Sequence, residues 1–129
     1  MANHLLSRAD ILGAISRTNG GAPQDGTYRI VPSWIGSERV WMAERISEVD
    51  GYEIAYADVA PGTFWYPLDA ARFGYWCDPA TNEIYLDQTI HTRGNFAIAL
   101  EIGAHYSQLA IWDWADQRVW ECDTLEVAE

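Results

Sequence analysis

RVWMAERISEVDGYEIAY, residues 39–56, sets Trp41, Ala43 and Arg45 in alternation with Val40, Met42 and Glu44 before it reaches Asp50-Gly51. A period of two is that of a strand whose two faces meet different surroundings. Asp-Gly is a strong two-residue hairpin signal, because a type I′ turn needs positive φ at both central residues. Tyr52, Ile54 and Tyr56 continue the alternation beyond it. The stretch therefore reads as two strands, Arg39 to Val49 and Tyr52 onward, joined tightly at Asp50-Gly51, and it sets an antiparallel β texture for the chain.

Working outward, the texture begins at Thr27, where Thr27 to Val31 reads as a first strand. Upstream lies one predicted helix, residues 7–18. Ser7 is its N-cap with Asp10 three positions on, a short-armed capping box; Leu6 and Ile11 take the staple positions, and Asn19-Gly20-Gly21 with Pro23 supplies the stop. Downstream, residues 60–72 carry two prolines and a glycine and read as a loop holding Phe64, Trp65 and Tyr66. Such a trio either plugs an open end of the core or contacts a partner, and the exposure of Trp65 separates the two. Phe73 to Cys77 and Glu83 to Ile90 read as strands around Asp78-Pro79-Ala80-Thr81-Asn82. Phe96, Ile98, Leu100 and Ile102 alternate with Ala97, Ala99, Glu101 and Gly103, which predicts another strand, its small face approached closely by a second layer such as the helix. Leu109 to Trp114 and Arg118 to Cys122 close the set as a hairpin over Ala115-Asp116-Gln117, with an acidic tail at 123–129.

The expectation is an α+β, mainly β chain forming a single domain over 1–129. One N-terminal helix packs on a strongly curved antiparallel sheet or half-barrel of about eight strands spanning 27–122. A closed barrel with the helix as a lid is the second choice.

Charge bounds the partners. Nineteen carboxylates oppose eight arginines and no lysine, for a net charge of −11 on 129 residues. Such a field repels nucleic acid and anionic membrane and attracts basic protein surfaces, so direct nucleic-acid binding and membrane binding are not expected. A GC-rich genome accounts for arginine in place of lysine, and excess carboxylate also suits high salt. The apolar content and the absence of a long apolar run or signal-like N-terminus point to a folded, cytoplasmic protein. Cys77 and Cys122 are expected as free thiols.

No motif names a reaction. His4, His91 and His105 stand outside any metal-ligand spacing. Glu101-Ile102-Gly103-Ala104-His105 is like part of the helical zinc motif H-E-x-x-H, but Leu100 occupies the place of the first histidine. The run Asp78 to Asp87 lacks the glycine and spacing of a calcium loop. Neither cysteine lies in an activating context, and no phosphate-cradling glycine loop occurs. No metal, no cofactor and no catalytic residue is expected.

What stands out instead is acid beside aromatic. Glu44, Glu48, Asp50, Glu53 and Asp58 fall along the Asp50-Gly51 hairpin, and Asp113, Asp116, Glu121 and Asp123 interleave with Trp112, Trp114 and Trp120. Carboxylates steer a basic partner and tryptophans anchor interfaces, so these acids, with Trp65 and Trp114 as aromatic contacts, are the expected partner-binding residues. The expected role is non-enzymatic: an acidic protein blocking the basic, nucleic-acid-binding surface of a nuclease or similar complex, in the manner of a phage-type anti-CRISPR or anti-restriction inhibitor. The alternatives are an immunity or antitoxin protein neutralising a basic toxin, and a small enzyme of unrecognised type.

Overall fold

Helix α1 (Arg8–Thr18) starts where its sequence predicts. In the computed structural model, which describes residues 4–106 and 110–121, Ser7 Oγ accepts from Asp10 N at 3.0 Å and Asp10 Oδ2 accepts from Ser7 N at 2.9 Å. That reciprocal pair satisfies two otherwise orphaned amides. Leu6 and Ile11, the staple pair, are fully buried. At the other end Gly20 takes φ +82°, and Gly20 N and Gly21 N reach Arg17 O and Ser16 O at 3.4 and 2.8 Å, a Schellman closure that a side chain at Gly20 would oppose.

Around it the described residues form nine strands and a second helix: β1 (His4–Ser7), β2 (Gly26–Ile35), β3 (Glu38–Ile46), β4 (Tyr52–Asp58), β5 (Thr63–Tyr66), β6 (Arg72–Cys77), β7 (Ile84–Thr92), α2 (Phe96–His105), β8 (Ala110–Asp113) and β9 (Arg118–Glu121). Seven strands make one sheet in the order β3-β2-β6-β7-β4-β8-β9, and β1 pairs with β5 in a separate ribbon. The pairs β2–β3, β2–β6, β4–β8, β8–β9 and β1–β5 are antiparallel. The mainly β expectation stands, with two helices where one was predicted.

The Asp50-Gly51 hairpin does not form. Strands β3 and β4 lie apart in the sheet order, separated by β2, β6 and β7. Gly51 does take φ +82°, but Asp50 is not among the residues of positive φ, so the type I′ geometry is not met. Instead β3 pairs back onto β2 through Gly36-Ser37, with Ile35 opposite Glu38. Gly36 at φ +62° followed by a residue of ordinary φ is the pattern of a type II′ turn. Strand β2 also runs past Val31, the predicted end, through Pro32 to Ile35. Its pairing with β6 covers Gly26–Tyr28, so Pro32 sits where β3 is the neighbouring strand and a missing N–H costs no second ladder.

Residues 96–102 are helix, not strand. Asn95 Oδ1 accepts from Ile98 N at 3.0 Å and caps α2. The buried residues are Ala99, Leu100 and Gly103, a helical spacing. A segment apolar on nearly every side satisfies both periods at once, and the alanines, strong helix formers, decide it.

Residues 63–66, predicted as loop, form β5, with Leu5 opposite Trp65 and Leu6 opposite Phe64. The predicted hairpins β6–β7 and β8–β9 are neighbours in the sheet, with Asn82 and Gln117 at φ +59° and +54° in their turns.

By contacts the chain divides into two compact units, each with its own core. Unit 1 (Met1–Ile46 with Asp58–Asp87) is built on Leu6, Ile11, Ile15, Tyr28, Phe73 and Leu86. Unit 2 (Ser47–Ala57 with Gln88–Glu129) is built on Ile54, Ala99, Leu100 and Ile111. In unit 1 the end of α1 covers one edge of β3: Thr18 Oγ1 donates to Ala43 O at 2.7 Å and accepts from Ala43 N at 2.9 Å, while Arg17 donates twice to Trp41 O. No helix among the described residues is long and apolar enough to cross a membrane. Cys77 is a free thiol, and Cys122 lies outside the described residues.

Candidate partner-binding face

The acid is not spread evenly. Unit 2 carries ten carboxylates against two arginines, unit 1 nine against six. Several arginines of unit 1 serve backbone carbonyls: Arg17 that of Trp41, Arg8 that of Val59, and Arg45 that of Asp25, the last also lying 5.0 Å over the Tyr28 ring. These guanidiniums hold the fold together and leave most of the neighbouring carboxylates to solvent.

The predicted partner residues part company. In unit 1, Glu44 is exposed and lies 3.4 Å from Arg29, and Asp58 is exposed at the end of β4. In unit 2, Glu48 is half-buried, while Asp50 is exposed, with its carbonyl 2.8 Å from His91 Nε2 and its carboxylate 3.9 Å from Arg93. Asp116 is exposed in the β8–β9 turn. Since β3 and β4 are not paired, the first acidic group does not line one hairpin.

Glu53 and Asp113 face inward, each 5% exposed. Glu53 accepts from Thr89 Oγ1 at 2.7 Å and from Trp114 Nε1 at 3.0 Å; Asp113 accepts from Trp120 Nε1 at 2.9 Å and from Asp116 N at 3.2 Å. Buried carboxylates met by indole and hydroxyl donors are structural groups of this unit, and with Trp114 buried beside Glu53 none of the three has a surface to offer a partner. Glu121 belongs to β9, with its side chain outside the described set, and Asp123 lies outside the described residues. Trp65 is 64% exposed while its neighbour Tyr66 is buried, so Tyr66 fills the core and Trp65 does not plug it.

Sequence reasoning missed a face on β6 and β7 in unit 1. On β6, Phe73 and Tyr75 are buried and Trp76 is 48% exposed. On β7, Leu86 is buried, and Tyr85 and Asp87 alternate with it and Ile84, with Glu83 just before the strand. The rings of Trp76 and Tyr85 stack at 5.2 Å and 27°. Tyr85 OH donates to Glu83 Oε2 at 3.0 Å; that bond, partial burial and the negative charges of Glu83, Asp78 and Asp87 raise the phenol above its ordinary value. Asp78 is held in the connecting turn, where Ala80 N donates to its Oδ1 at 2.9 Å and Asn82 N to its carbonyl at 2.7 Å. Val59 N donates to Leu86 O at 2.9 Å, which sets Asp87 near Asp58. Burial, followed by the neighbouring Asp58 carboxyl as hydrogen-bond partner and like charge, pushes Asp87 up to about 7, with Arg8 pulling it down.

The result is a stacked aromatic pair with carboxylates on its rim. A guanidinium or ammonium can lie on the open indole face and reach Glu83, Asp78 or Asp87 with its N–H donors. The signal was in the sequence as Trp76 and Tyr85, each near the turn Asp78–Asn82, but their contact depends on hairpin register. Among the described residues no group of three or more His, Cys, Asp or Glu side chains is arranged to hold a metal. Comparison with known protein families, with curated proteins and with solved structures finds no match.

Proposed function

We propose that this protein is a non-enzymatic acidic binding protein that covers the basic, nucleic-acid-binding surface of a partner protein in the cytoplasm, as a phage-type anti-CRISPR or anti-restriction inhibitor would. An immunity protein or antitoxin facing a basic nuclease toxin uses the same physics and is the alternative. The observation that carries the reading is the stack of exposed Trp76 on half-buried Tyr85, with Asp78, Glu83 and Asp87 around it. An exposed tryptophan supplies apolar contact area, and the carboxylates around it select cationic side chains and reject phosphate. Among the described residues, the predicted partner residue nearest this face is Asp58, which adjoins Val59, bonded through its N to Leu86 O beside Asp87.

Binding to a nona-arginine peptide, followed by calorimetry, tests it. Trp76→Ala and Glu83→Gln should each weaken binding by roughly five- to tenfold, with the circular-dichroism spectrum unchanged. Affinity unmoved by either substitution would overturn this placement of the face.

A further inference from the structure

We propose that the open end of the β2–β3 hairpin binds small aromatic anions, the ring stacking on Trp34 while its carboxylate or phosphate pairs with Arg39 beside Trp41. The register places these groups together. Pro32 and Trp34 lie opposite Trp41 and Arg39, so all four share one face of the hairpin. Followed back along the strands, the same face becomes core at Ile30 and Ala43, which lie opposite each other, buried with Ile11 and Ile15 of α1. The last turn of α1 meets β3 at Ala43 and Trp41, where Thr18 and Arg17 bond the backbone. Past Trp41 the face is uncovered: Trp34 is 65% exposed, and Pro32 and Arg39 are exposed with it. An indole on the core side of a sheet, left open at its end, offers a ring surface that the fold itself does not use.

The charge on this face is cationic, in a chain whose net charge is −11. Both carboxylates of the two strands, Glu38 and Glu44, stand opposite Ile35 and Arg29 and belong to the other face. Arg39 lies 5.5 Å over the Trp41 ring and has no hydrogen bond or ion pair among the described residues. Arg118, which lies over Trp120 in the same way, stands opposite the buried Asp113 across its hairpin; Arg39 has Trp34 there instead. Two more groups meet the same tryptophan. Arg17 donates through Nε and Nη2 to Trp41 O at 2.9 and 2.7 Å, and His4 stands edge-on to the ring at 6.0 Å. The Nδ1 of His4 is buried without a hydrogen-bond partner among the described residues, a cost that a ligand acceptor beside Trp41 would remove. A guanidinium takes a carboxylate or phosphate in a bidentate pair, and an aromatic anion gains that pair and the stacking on Trp34 at once. The site is separate from the Trp76–Tyr85 face: Gly74 lies opposite Thr27, so Trp76, two residues on, shares the side of the sheet that Tyr28 and Trp34 do not.

The test is titration of the full chain with indoleacetate and with adenosine monophosphate, at about 0.15 M salt so that the repulsion from distant carboxylates is screened beyond roughly 8 Å. Calorimetry and the indole N–H resonances follow binding. At least one probe should bind with a Kd of about 1 mM or tighter and shift the Trp34 resonance. Tighter binding of indoleacetate assigns the carboxylate as the preferred anion, and tighter binding of adenosine monophosphate the phosphate; either supports the site. Arg39→Gln should weaken binding about tenfold and Trp34→Ala about fivefold, while Trp76→Ala and Arg118→Gln leave it unchanged. Changing the ligand gives the same answer free of any effect on folding. Indoleacetamide and adenosine keep the ring and lose the charge, acetate and inorganic phosphate do the reverse, and each should bind about fivefold or more weaker than its parent probe. No binding of either probe up to about 10 mM, affinity unmoved by Arg39→Gln or Trp34→Ala, or an analogue as tight as its parent would overturn the proposal.

Discussion

Glu53 and Asp87 show how far apart two carboxylates of one chain can be in role. Glu53 is buried beside Ile54, its neighbour in sequence, so consecutive residues of β4 are both covered and alternation could not mark which faced solvent. Its oxygens are bonded to Thr89 and Trp114, donors 36 and 61 positions away, so no local pattern announced it. Asp87 is half-buried against like charge, and its raised pKa means that the folded chain binds a proton the unfolded chain has already lost between about pH 4 and 7. Protons held by the folded state make stability fall as pH rises through that window and level off above it. Asp87→Asn removes the term. It should leave stability near that of the wild type at pH 5 and raise it at pH 8 by about 1 kcal/mol, discounted for the solvent-facing half of the group. Urea denaturation at the two pH values reads this difference, and equal shifts at both would count against a titrating Asp87.

At the scale of elements, α1 was legible from end to end because its signals are local: Ser7 with Asp10 at one end, Gly20-Gly21 at the other. Strand pairing was not. Asp50-Gly51 looked like a hairpin, yet β3 found its partner in β2 through Gly36-Ser37, a turn with its own signal that the stronger dipeptide overshadowed. Helix α2 was read as strand because its apolar residues surround it. Helix α1 does more than pack: Thr18 bonds both backbone groups of Ala43 and so closes part of an edge that could otherwise pair with another chain. Thr18→Val keeps the shape and removes both bonds. It should cost about 1–2 kcal/mol in urea denaturation and increase self-association in sedimentation velocity. Unchanged stability would mean that solvent replaces the hydroxyl without loss.

For the whole molecule the net charge of −11 sets a field that would steer the encounter with the proposed basic partner. The excess is greatest in unit 2, at −8 against −3 for unit 1, whereas the aromatic–acidic face lies in unit 1. On the proposed reading, steering and contact draw on different carboxylates. Association with nona-arginine, measured by stopped flow, should slow by about tenfold or more between roughly 0.01 and 0.15 M salt, as the screening length shrinks from about 30 to 8 Å. Dissociation should change less, and a salt-independent on-rate would refute steering. The anionic character, the capped first helix, the β texture and the two later hairpins were determined by the sequence itself, because charge is additive and caps and turns are bonds between residues a few positions apart. Which strands became neighbours, that 96–105 coiled into a helix, that Glu53 and Asp113 turned inward and that Trp76 met Tyr85 were decided by tertiary structure alone. Those outcomes depend on burying apolar surface between segments remote in the chain, and on the register at which they meet.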